Sequence, residues 1–596
     1  MGSNNNIPGT GPVINSAVAP GSMLLLSLAL TSMFVFSNAS PAGATEFSLS
    51  GRRLTLDLSW GMLFHYHGDN NTPKYLENQP KEDDNYLDMQ NRLNAVLAAG
   101  PWSLGLRADI IFFHDLYENR AKGAFRYKNL FRPGTEINGD IQGASFLPEK
   151  LWGSYNTNNM EVTLGDFYAT FGHGLVLAVR KVDELGVDTT LRGGKIKAFL
   201  GPVELQALAG TANPANLDPD KELILPDPDD VLAAARIAVN PSDGLKIGAH
   251  TVYCGMHYAG GLGGKLPRVD NLMAGLDVQA LGLLNDKLDI FLDAAFQDRD
   301  PFDKLNVLDQ ASYNAGYGYG LYGGFNLNLH PFTFTLEFKN YDQLFLVDDK
   351  VKLLVDPVEY TYVDTNVFYY APPTMERKDQ EVPPQDNVLG GRAKIGIHLD
   401  AIDSDINVSY LLYAAGNKGK VGERRFPEDR RIYHLLLGFE KHWIKGHRLI
   451  LTGGFREDYM YEPAGSKSLS DQLGHFEVDA KWAVYKKHGI GLFMKHEEEY
   501  KLGAGRFREG DFALEYTYGR IASAAFMLSY SGNPGFAPRK GETKLYFGGQ
   551  ITYRPSAIAS LRLFGGSRRG GQRCVGGQCR IYPAFSGVEL AATIRY

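Results

Sequence analysis

Cysteine is nearly absent from this chain, which has three in 596 residues. Two of them, Cys574 and Cys579, stand close together in RCVGGQCR, without the C-x-x-C-H motif of a covalent haem. No second Cys or His pair follows at zinc-finger spacing. We therefore expect no cofactor and no metal. For the two cysteines a redox pair stays open, and a disulfide that closes a glycine-rich loop is the favoured interpretation.

Long apolar runs are also scarce. Met23–Ser37 has the length of a signal-peptide core, and Ala42-Gly43-Ala44 is typical of a cleavage site before Thr45. No Lys or Arg precedes Arg52, so the basic start of such signals is missing, and a retained anchor is the alternative. We predict that residues 1–44 are a signal peptide and 45–596 the mature chain.

Signatures of catalysis are missing too. There is no G-x-S-x-G, and KHEEEYK (Lys495–Lys501) lacks the second His of a zinc helix. His65-Tyr66-His67 could ligate a metal, but a girdle residue at the membrane interface beside a polar neighbour is the favoured interpretation. The formal charge of −7 gives no reason to expect nucleic acid. We predict that the protein is not an enzyme.

Aromatic residues and strict alternation are abundant instead. Aromatics make up 12% of the chain. In Leu54–Tyr66 every second residue is apolar, and Trp102–Phe112 and Val588–Tyr596 repeat the pattern. Strands of this length, apolar on one face and polar on the other, are typical of transmembrane barrels. The rival fold, a soluble sandwich or propeller, would need a blade repeat that the sequence lacks.

The polar face of these strands carries charges at regular intervals. A wet barrel interior accommodates such charges, whereas a dry core does not. The residues predicted to face the lumen are Arg53, Asp57, Arg107, Asp109, Glu337, Lys339, Glu477, Asp479, Lys481, Glu515 and Arg595.

The connections alternate between short and long. Short links such as Asn240–Asp243 and Lys486–His488 are separated by longer polar stretches such as His67–Asn85. This is the construction of an outer-membrane barrel with short periplasmic turns and long extracellular loops. We predict an all-β antiparallel barrel of about 24 strands, within two either way, in the outer membrane of a Gram-negative bacterium. The longest connection, 346–388, is rich in apolar residues, and we expect it to fold inward and narrow the pore.

Several stretches carry a family resemblance. They are GDFYATFGHGLVL (Gly165–Leu177), RKVDELGVDTTLRGGK (Arg180–Lys195), YYAPPTMERKD (Tyr369–Asp379) and the terminal RCVGGQCR. Together they resemble a bacterial outer-membrane β-barrel family of unassigned function. The resemblance implies the barrel and its location, and no activity. In size and architecture the chain is also similar to the porin-like sheaths of porin–cytochrome electron conduits.

Two functions remain open at this point. A barrel of this size encloses a lumen too wide for side chains alone to fill. The first hypothesis is a porin-like channel that passes small solutes through the charged lumen. The alternative is a sheath around a periplasmic multihaem cytochrome. The other expected partners are outer-membrane lipid and lipopolysaccharide and the barrel-assembly machinery.

Overall fold

The computed structural model describes most of the chain after residue 44. The described residues are 45–49, 52–68, 86–115, 142–182, 187–213, 217–218, 223–224, 230–256, 269–299, 317–342, 344, 351–356, 359–363, 387–415, 430–443, 446–461, 467–534, 542–575, 578–582 and 584–595. The predicted signal peptide, 1–44, lies outside these ranges.

One sheet contains most of the described strands. Its members are β1 (Thr45–Leu49), β2 (Arg52–His67), β3 (Tyr86–Ala99), β4 (Trp102–Asp115), β5 (Gln142–Asn156), β6 (Met160–Phe167), β11 (Leu191–Leu200), β12 (Val203–Ala212), β15 (Val231–Ser242), β16 (Leu245–Met256), β17 (Val269–Gly282), β18 (Leu288–Arg299), β19 (Tyr317–Leu329), β20 (Phe332–Asp342), β23 (Val388–Leu399), β24 (Ser404–Ala415), β25 (Arg430–Trp443), β26 (His447–Tyr461), β27 (Lys467–Tyr485), β28 (His488–Lys501), β29 (Gly505–Tyr518), β30 (Ala522–Ser531), β31 (Lys544–Tyr553), β32 (Ala559–Arg568) and β35 (Phe585–Arg595).

The remaining strands are short and pair two by two between the long ones. They are β7 (Ala169–Phe171), β8 (Leu177–Val179), β9 (Lys181–Val182), β10 (Val187–Asp188), β13 (Leu217–Asp218), β14 (Leu223–Ile224), β21 (Val351–Asp356), β22 (Glu359–Val363), β33 (Gly571–Val575) and β34 (Gln578–Tyr582).

The sheet closes on itself through its first and last long strands. β2 pairs antiparallel with β35, from Ser59 opposite Arg595 to His67 opposite Gly587. The short β1 pairs only with the start of β2. Among the described residues, the closed ring therefore has 24 antiparallel strands. The predicted fold class and strand number are confirmed.

Alternation of side chains sorts the two faces of the barrel. On β4, Leu104 is 57% exposed and points outward, whereas Asp109 is fully buried on the other face. The same parity holds on β20, where Leu336 is exposed and Glu337 is buried. Exposed aliphatic and aromatic side chains on one face and ion pairs on the other are what lipid and a polar lumen require.

All the connections at one end of the barrel are short, whereas the other end carries the long connections together with short ones such as Leu502–Ala504. We call these the turn end and the loop end. The predicted links at Asn240–Asp243 and Lys486–His488 are turns. Two further turns escaped the sequence analysis. One is a four-residue helical turn at Leu283–Asp286 with left-handed backbone at Leu284 and Asn285, and the other joins β29 to β30.

Helix contributes little to the described structure. Beyond Leu283–Asp286 there is a single 3₁₀ turn, Asp400–Ile402, in the residues that the structure describes. Among the helices of these residues, none has the length and apolar character needed to cross a membrane.

The predicted pore constriction at 346–388 falls largely outside the described residues. Only the backbone of the β21–β22 hairpin and the final residues before β23 are described there. Whether this connection folds inward therefore stays a prediction.

The cysteine loop is a hairpin at the loop end. β33 and β34 are joined by two residues, and Cys574 lies directly opposite Cys579 in their register. The cysteines form the pair next to Val575 and Gln578 in this register. Cα atoms of directly opposite residues in antiparallel strands lie about 4.5–5.5 Å apart, which is within the range that a disulfide bridges.

We expect Cys574 and Cys579 to form a disulfide in protein isolated from membranes without reductant. Trypsin would release both on one peptide, Cys574–Arg580, which would lack two hydrogen atoms and resist alkylation in mass spectrometry. The buried Cys254 serves as an internal control, because it should be alkylated once the protein is denatured. Recovery of the peptide with two alkylated thiols before reduction would contradict the prediction.

Candidate functional site: a segment folded into the lumen

A connection at the loop end turns into the barrel instead of extending away from it. We call residues 168–182 and 187–190, the described part of the connection between β6 and β11, the inner segment; it contains the short strands β7 to β10. Its apolar side chains Phe171, Leu175, Val176, Leu177 and Val179 are almost fully buried. Burying a side chain of this kind is worth about 2 kcal/mol relative to exposure. The segment is therefore held by a core of its own inside the barrel.

The wall that receives these side chains is locally apolar. Phe171 lies 5.4 Å from the ring of His250 on β16, measured between centroids. The cluster continues around the inner face through strands β12 to β25, with members Leu208, Leu232, Val252, Cys254, Met273, Ala295, Tyr322, Tyr341, Leu411, Tyr413 and Ile432. This apolar arc interrupts an interior that is otherwise polar.

Two glycines make room for the inner segment. A Cβ atom on Gly275 of β17 would lie 2.8 Å from Cγ2 of Val176. A Cβ atom on Gly320 of β19 would lie 3.3 Å from Cδ2 of Leu175 and 2.7 Å from Leu344. Glycine in these strands lets another part of the chain approach the wall closely. The sequence analysis did not assign this role to either glycine.

Ion pairs and hydrogen bonds at Asp188 hold the C-terminal end of the inner segment. Asp188 accepts hydrogen bonds from Arg107 on β4, from Lys150 on β5 and from Tyr168. Lys150 Nζ also donates to the Tyr168 hydroxyl at 2.9 Å and to the Asp188 carbonyl at 3.0 Å. Each of these ions is at least nine-tenths buried, so their attraction is screened far less than at a protein surface.

Acids on the wall extend this cluster. Arg107 Nε lies 2.6 Å from Oε2 of Glu149 on β5 and 3.5 Å from Asp109. Asp109 also accepts from Gln90 and Arg92 of β3. The network therefore links three neighbouring strands to the inner segment. Removing one partner from a buried network of this kind strongly destabilises the fold, because the remaining charged groups stay buried without their partner.

A histidine holds the tip of the inner segment against β18. The backbone N–H of His173 donates to Oδ2 of Asp293 at 2.7 Å, and His173 Nδ1 lies 3.2 Å from Oδ1. The hydrogen bond to Asp293 raises the pKa of His173 above its ordinary value, and the charges of Asp293 and Asp277 add to this. The imidazole also contacts Phe291 and Tyr322.

A cavity of about 740 Å³ lies beside the charged cluster. Small-molecule sites commonly enclose about 300–1,000 Å³. Cations outnumber acids in its charged lining; the acids are Asp166 and Asp188, and the cations are Arg92, Arg107, Lys150, Lys181, Lys195 and Arg595. The cavity therefore has the size and charge to hold a small anion.

In several ion pairs of the wall the cation is more exposed than the carboxylate, as in Arg562, 47% exposed, against Glu589, 5% exposed. The same order is found in the pairs Arg92–Asp109, Lys246–Glu204, Arg392–Glu337 and Arg430–Asp458. Other pairs differ, because both partners are buried in Arg236–Asp277 and the carboxylate is the more exposed partner in Arg569–Asp511. At the first set of pairs a solute in the lumen meets the cationic group before the carboxylate.

The predicted lumen residues fall into three groups. Arg107, Asp109, Glu337 and Lys339 are buried, the first two in the cluster around Asp188. Glu477, Asp479 and Glu515 are half-buried, and Asp479 pairs with Arg448 of β26. The exposed ones are Arg53, Asp57, Lys481 and Arg595, of which Arg53 pairs with Glu46 of β1. Arg107 and Asp109 lie in one ion-pair cluster, and Arg107 and Arg595 line the same cavity.

The inner segment itself was missed by the sequence analysis as a structural element. GDFYATFGHGLVL and the following RKVDELGVD were read only as a family resemblance. Leu175–Val179 is a continuous apolar run where a loop-end connection should be polar, and that run was the available signal. The expected constriction was assigned to 346–388 instead.

A closed antiparallel ring with an apolar outer face, a charged inner face and an inward-folded connection defines a transmembrane β-barrel of the outer-membrane class. More particularly, the chain belongs to the family of unknown function DUF6029, whose model matches residues 26–367. No curated protein sequence matches it.

Solved structures are similar to this chain in fold alone. The siderophore receptor PirA of Pseudomonas aeruginosa is 9% identical with a TM-score of 0.43, covering 91% of this chain and 80% of its own. The outer-membrane protein opdK of the same organism is 10% identical with a TM-score of 0.35, covering 70% and 95%. The P pilus usher PapC pore is 9% identical with a TM-score of 0.30, covering 91% and 99%.

We expect Asp188→Asn to release the inner segment from the wall. The substitution leaves Arg107 and Lys150 buried without their shared anion, a loss on the order of 3 kcal/mol. Hydrogen–deuterium exchange over 169–182 should become faster, while exchange in the barrel strands stays unchanged. Asp57→Asn, at an exposed carboxylate on the same face, is the matched control. Equal protection of 169–182 in the two variants would contradict this role of Asp188.

The docking of the inner segment should weaken as pH rises. Because the pKa of His173 is raised in the folded state, the stabilisation is complete below the ordinary imidazole pKa and is lost as pH passes through the raised value. Exchange over 169–182, corrected for its intrinsic rate, should increase as the pH rises from below the ordinary imidazole pKa through the raised value. His173→Gln should remove this dependence, and an unchanged pH profile in that variant would refute the assignment.

Proposed function

We propose that this protein is a channel in the outer membrane of a Gram-negative bacterium that passes small, mainly anionic solutes. The observation that carries the proposal is the inner segment, which occupies part of the lumen and borders a cavity whose charged lining has six cations and two acids. A fixed segment of this kind narrows the passage and places a binding site along it. Fixed cationic groups in a confined lumen concentrate anions.

The wall chemistry supports the same direction of selectivity. In pairs such as Arg92–Asp109 and Arg562–Glu589, a buried carboxylate holds a more exposed cationic group at the lumen. Arginine presents several donors in a planar fork that suits carboxylate and phosphate groups. Small organic or inorganic anions of this chemistry are therefore the proposed solutes.

The inner segment also bears on the alternative of a cytochrome sheath. A sheath needs a lumen free to admit a folded haem protein. Here the segment contacts β4 and β5 through Asp188 and β16 to β19 through its apolar half. It thus takes up space that a cytochrome would need. Membrane lipid, lipopolysaccharide and the assembly machinery remain the proposed partners.

Planar-bilayer recording tests the channel directly. The purified wild-type barrel should show small, stable conductance steps, with a reversal potential that favours chloride over potassium in a salt gradient. Replacing Ala169–Asp188 with a short Gly-Ser linker should enlarge the steps severalfold, because the segment that narrows the lumen is removed. The chloride preference should fall as well, because Tyr168 and Lys150 lose the contacts with Asp188 that position them.

A matched control replaces residues 119–138, a stretch of the same length in the β4–β5 connection. Its conductance should stay near the wild-type value. Silent bilayers for both the wild type and the segment-replaced barrel, with folding verified by heat-modifiable migration on gels, would exclude the channel. Preference for potassium would overturn the anionic solute class while leaving the channel standing.

A further inference from the structure

Three adjacent strands bring two imidazoles and two carboxylates together near the loop end of the lumen. In the register of β2 and β3, His65 lies directly opposite Asp88. In the register of β2 and β35, His65 lies directly opposite Glu589. His67 is two residues further along β2 and therefore on the same face. This row forms at the seam where the barrel closes.

The ligand atoms converge on Asp88. His65 Nδ1 lies 2.8 Å from Asp88 Oδ1, and His67 Nε2 lies 2.7 Å from Asp88 Oδ2. One atom from each of the three residues lies within 4.8 Å of the others. An ion held at about 2.0–2.2 Å from two imidazole nitrogens and a carboxylate oxygen needs only small shifts of these side chains.

The surroundings orient the first imidazole. His65 Nε2, the nitrogen turned away from Asp88, lies 3.5 Å from Oε2 of Glu589. Glu589 is itself held by Arg562 at 2.7 Å and Arg568 at 2.9 Å. A carboxylate on the second ring nitrogen is the usual outer partner of a metal-bound histidine, because it sets the tautomer and raises the basicity of the ligand.

Packing and burial limit the freedom of the cluster. The ring of Phe585 lies 5.9 Å from that of His65 and 5.1 Å from that of His67, edge-on to both. Asp88 is 1% exposed, whereas the side chains of His65 and His67 are 12% and 16% exposed. The carboxylate is thus fixed in the wall, and the imidazoles keep access to the lumen.

We propose that His65, His67 and Asp88 form a binding site for a divalent transition metal of the zinc class, with Glu589 as the outer partner of His65. Two imidazoles and one carboxylate suit Zn²⁺, Ni²⁺ or Cu²⁺, whereas Ca²⁺ and Mg²⁺ prefer oxygen ligands alone. Three protein ligands leave a coordination position open toward the lumen. The site is separate from the charged cluster at Asp188 and does not depend on the proposed channel.

The sequence analysis favoured a different interpretation of His65-Tyr66-His67. The imidazoles belong to the polar inner face, and Tyr66 between them has the outward parity of a girdle residue. The partner carboxylates come from positions 23 residues after and more than 500 residues after His65 in the chain. Only strand register reveals them.

Metal analysis of the untagged, detergent-solubilised barrel tests the site. After incubation with Zn²⁺ and dialysis, one zinc ion should remain per chain, and Co²⁺ should give the visible absorption of a nitrogen- and oxygen-ligated site. His67→Gln and Asp88→Asn should abolish both signals. His442→Gln, at an exposed histidine paired with Glu440, is the matched control and should bind like wild type.

Substitution of Glu589, the outer partner of His65, tests the site through a change in affinity. Glu589→Gln should bind the same single ion with an affinity lower by about tenfold or more. Ca²⁺ or Mg²⁺ in excess should not displace zinc. Absence of retained zinc and of a cobalt spectrum in the wild type, or unchanged binding by a folded His67→Gln barrel, would overturn the site. If both substituted barrels fail to fold, the wild-type cobalt spectrum and the Glu589→Gln affinity decide.

Discussion

Closure of the hydrogen-bonded sheet between β2 and β35 is the constraint on which the rest of the structure depends. Within lipid, an unpaired strand edge would leave a row of backbone donors and acceptors without partners, at several kcal/mol for each group. Pairing Ser59–His67 with Gly587–Arg595 removes that edge. It also fixes which residues of the first and last strands become neighbours, and so places Glu589 opposite His65, which pairs with Asp88 on its other side.

Closure with 24 strands produces a lumen that the wall side chains cannot fill, and the inner segment occupies part of it. Apolar packing holds one half of the segment, and ion pairs hold the other. Phe171, Leu175 and their neighbours are buried against an apolar arc, whereas Asp188 is held by buried cations. Apolar packing is insensitive to salt and pH, and charge pairing is sensitive to both. The segment is therefore held by apolar packing and by charge pairing on different parts of the wall, and His173 adds a charged contact to Asp293 on the apolar side.

Much of this architecture was predictable from local pattern. Alternation over a dozen residues in Leu54–Tyr66 gave the strands, and the rhythm of short and long connections gave their number and direction. The parity of Arg107 and Asp109 followed from the same alternation. The inner segment was not predictable in this way, because its short strands carry little periodic signal. A tertiary surface made by Gly275, Gly320 and residues of many other strands decides its position.

By itself, then, the sequence determined the class of fold, the face on which each strand residue lies and the direction in which the strands run. These depend on periodicity, which is a property of neighbours along the chain. The tertiary structure alone decided which charged residues meet, where the lumen narrows and that His65 and His67 share a carboxylate on β3. Those outcomes depend on register and on inward folding, which join residues far apart in sequence.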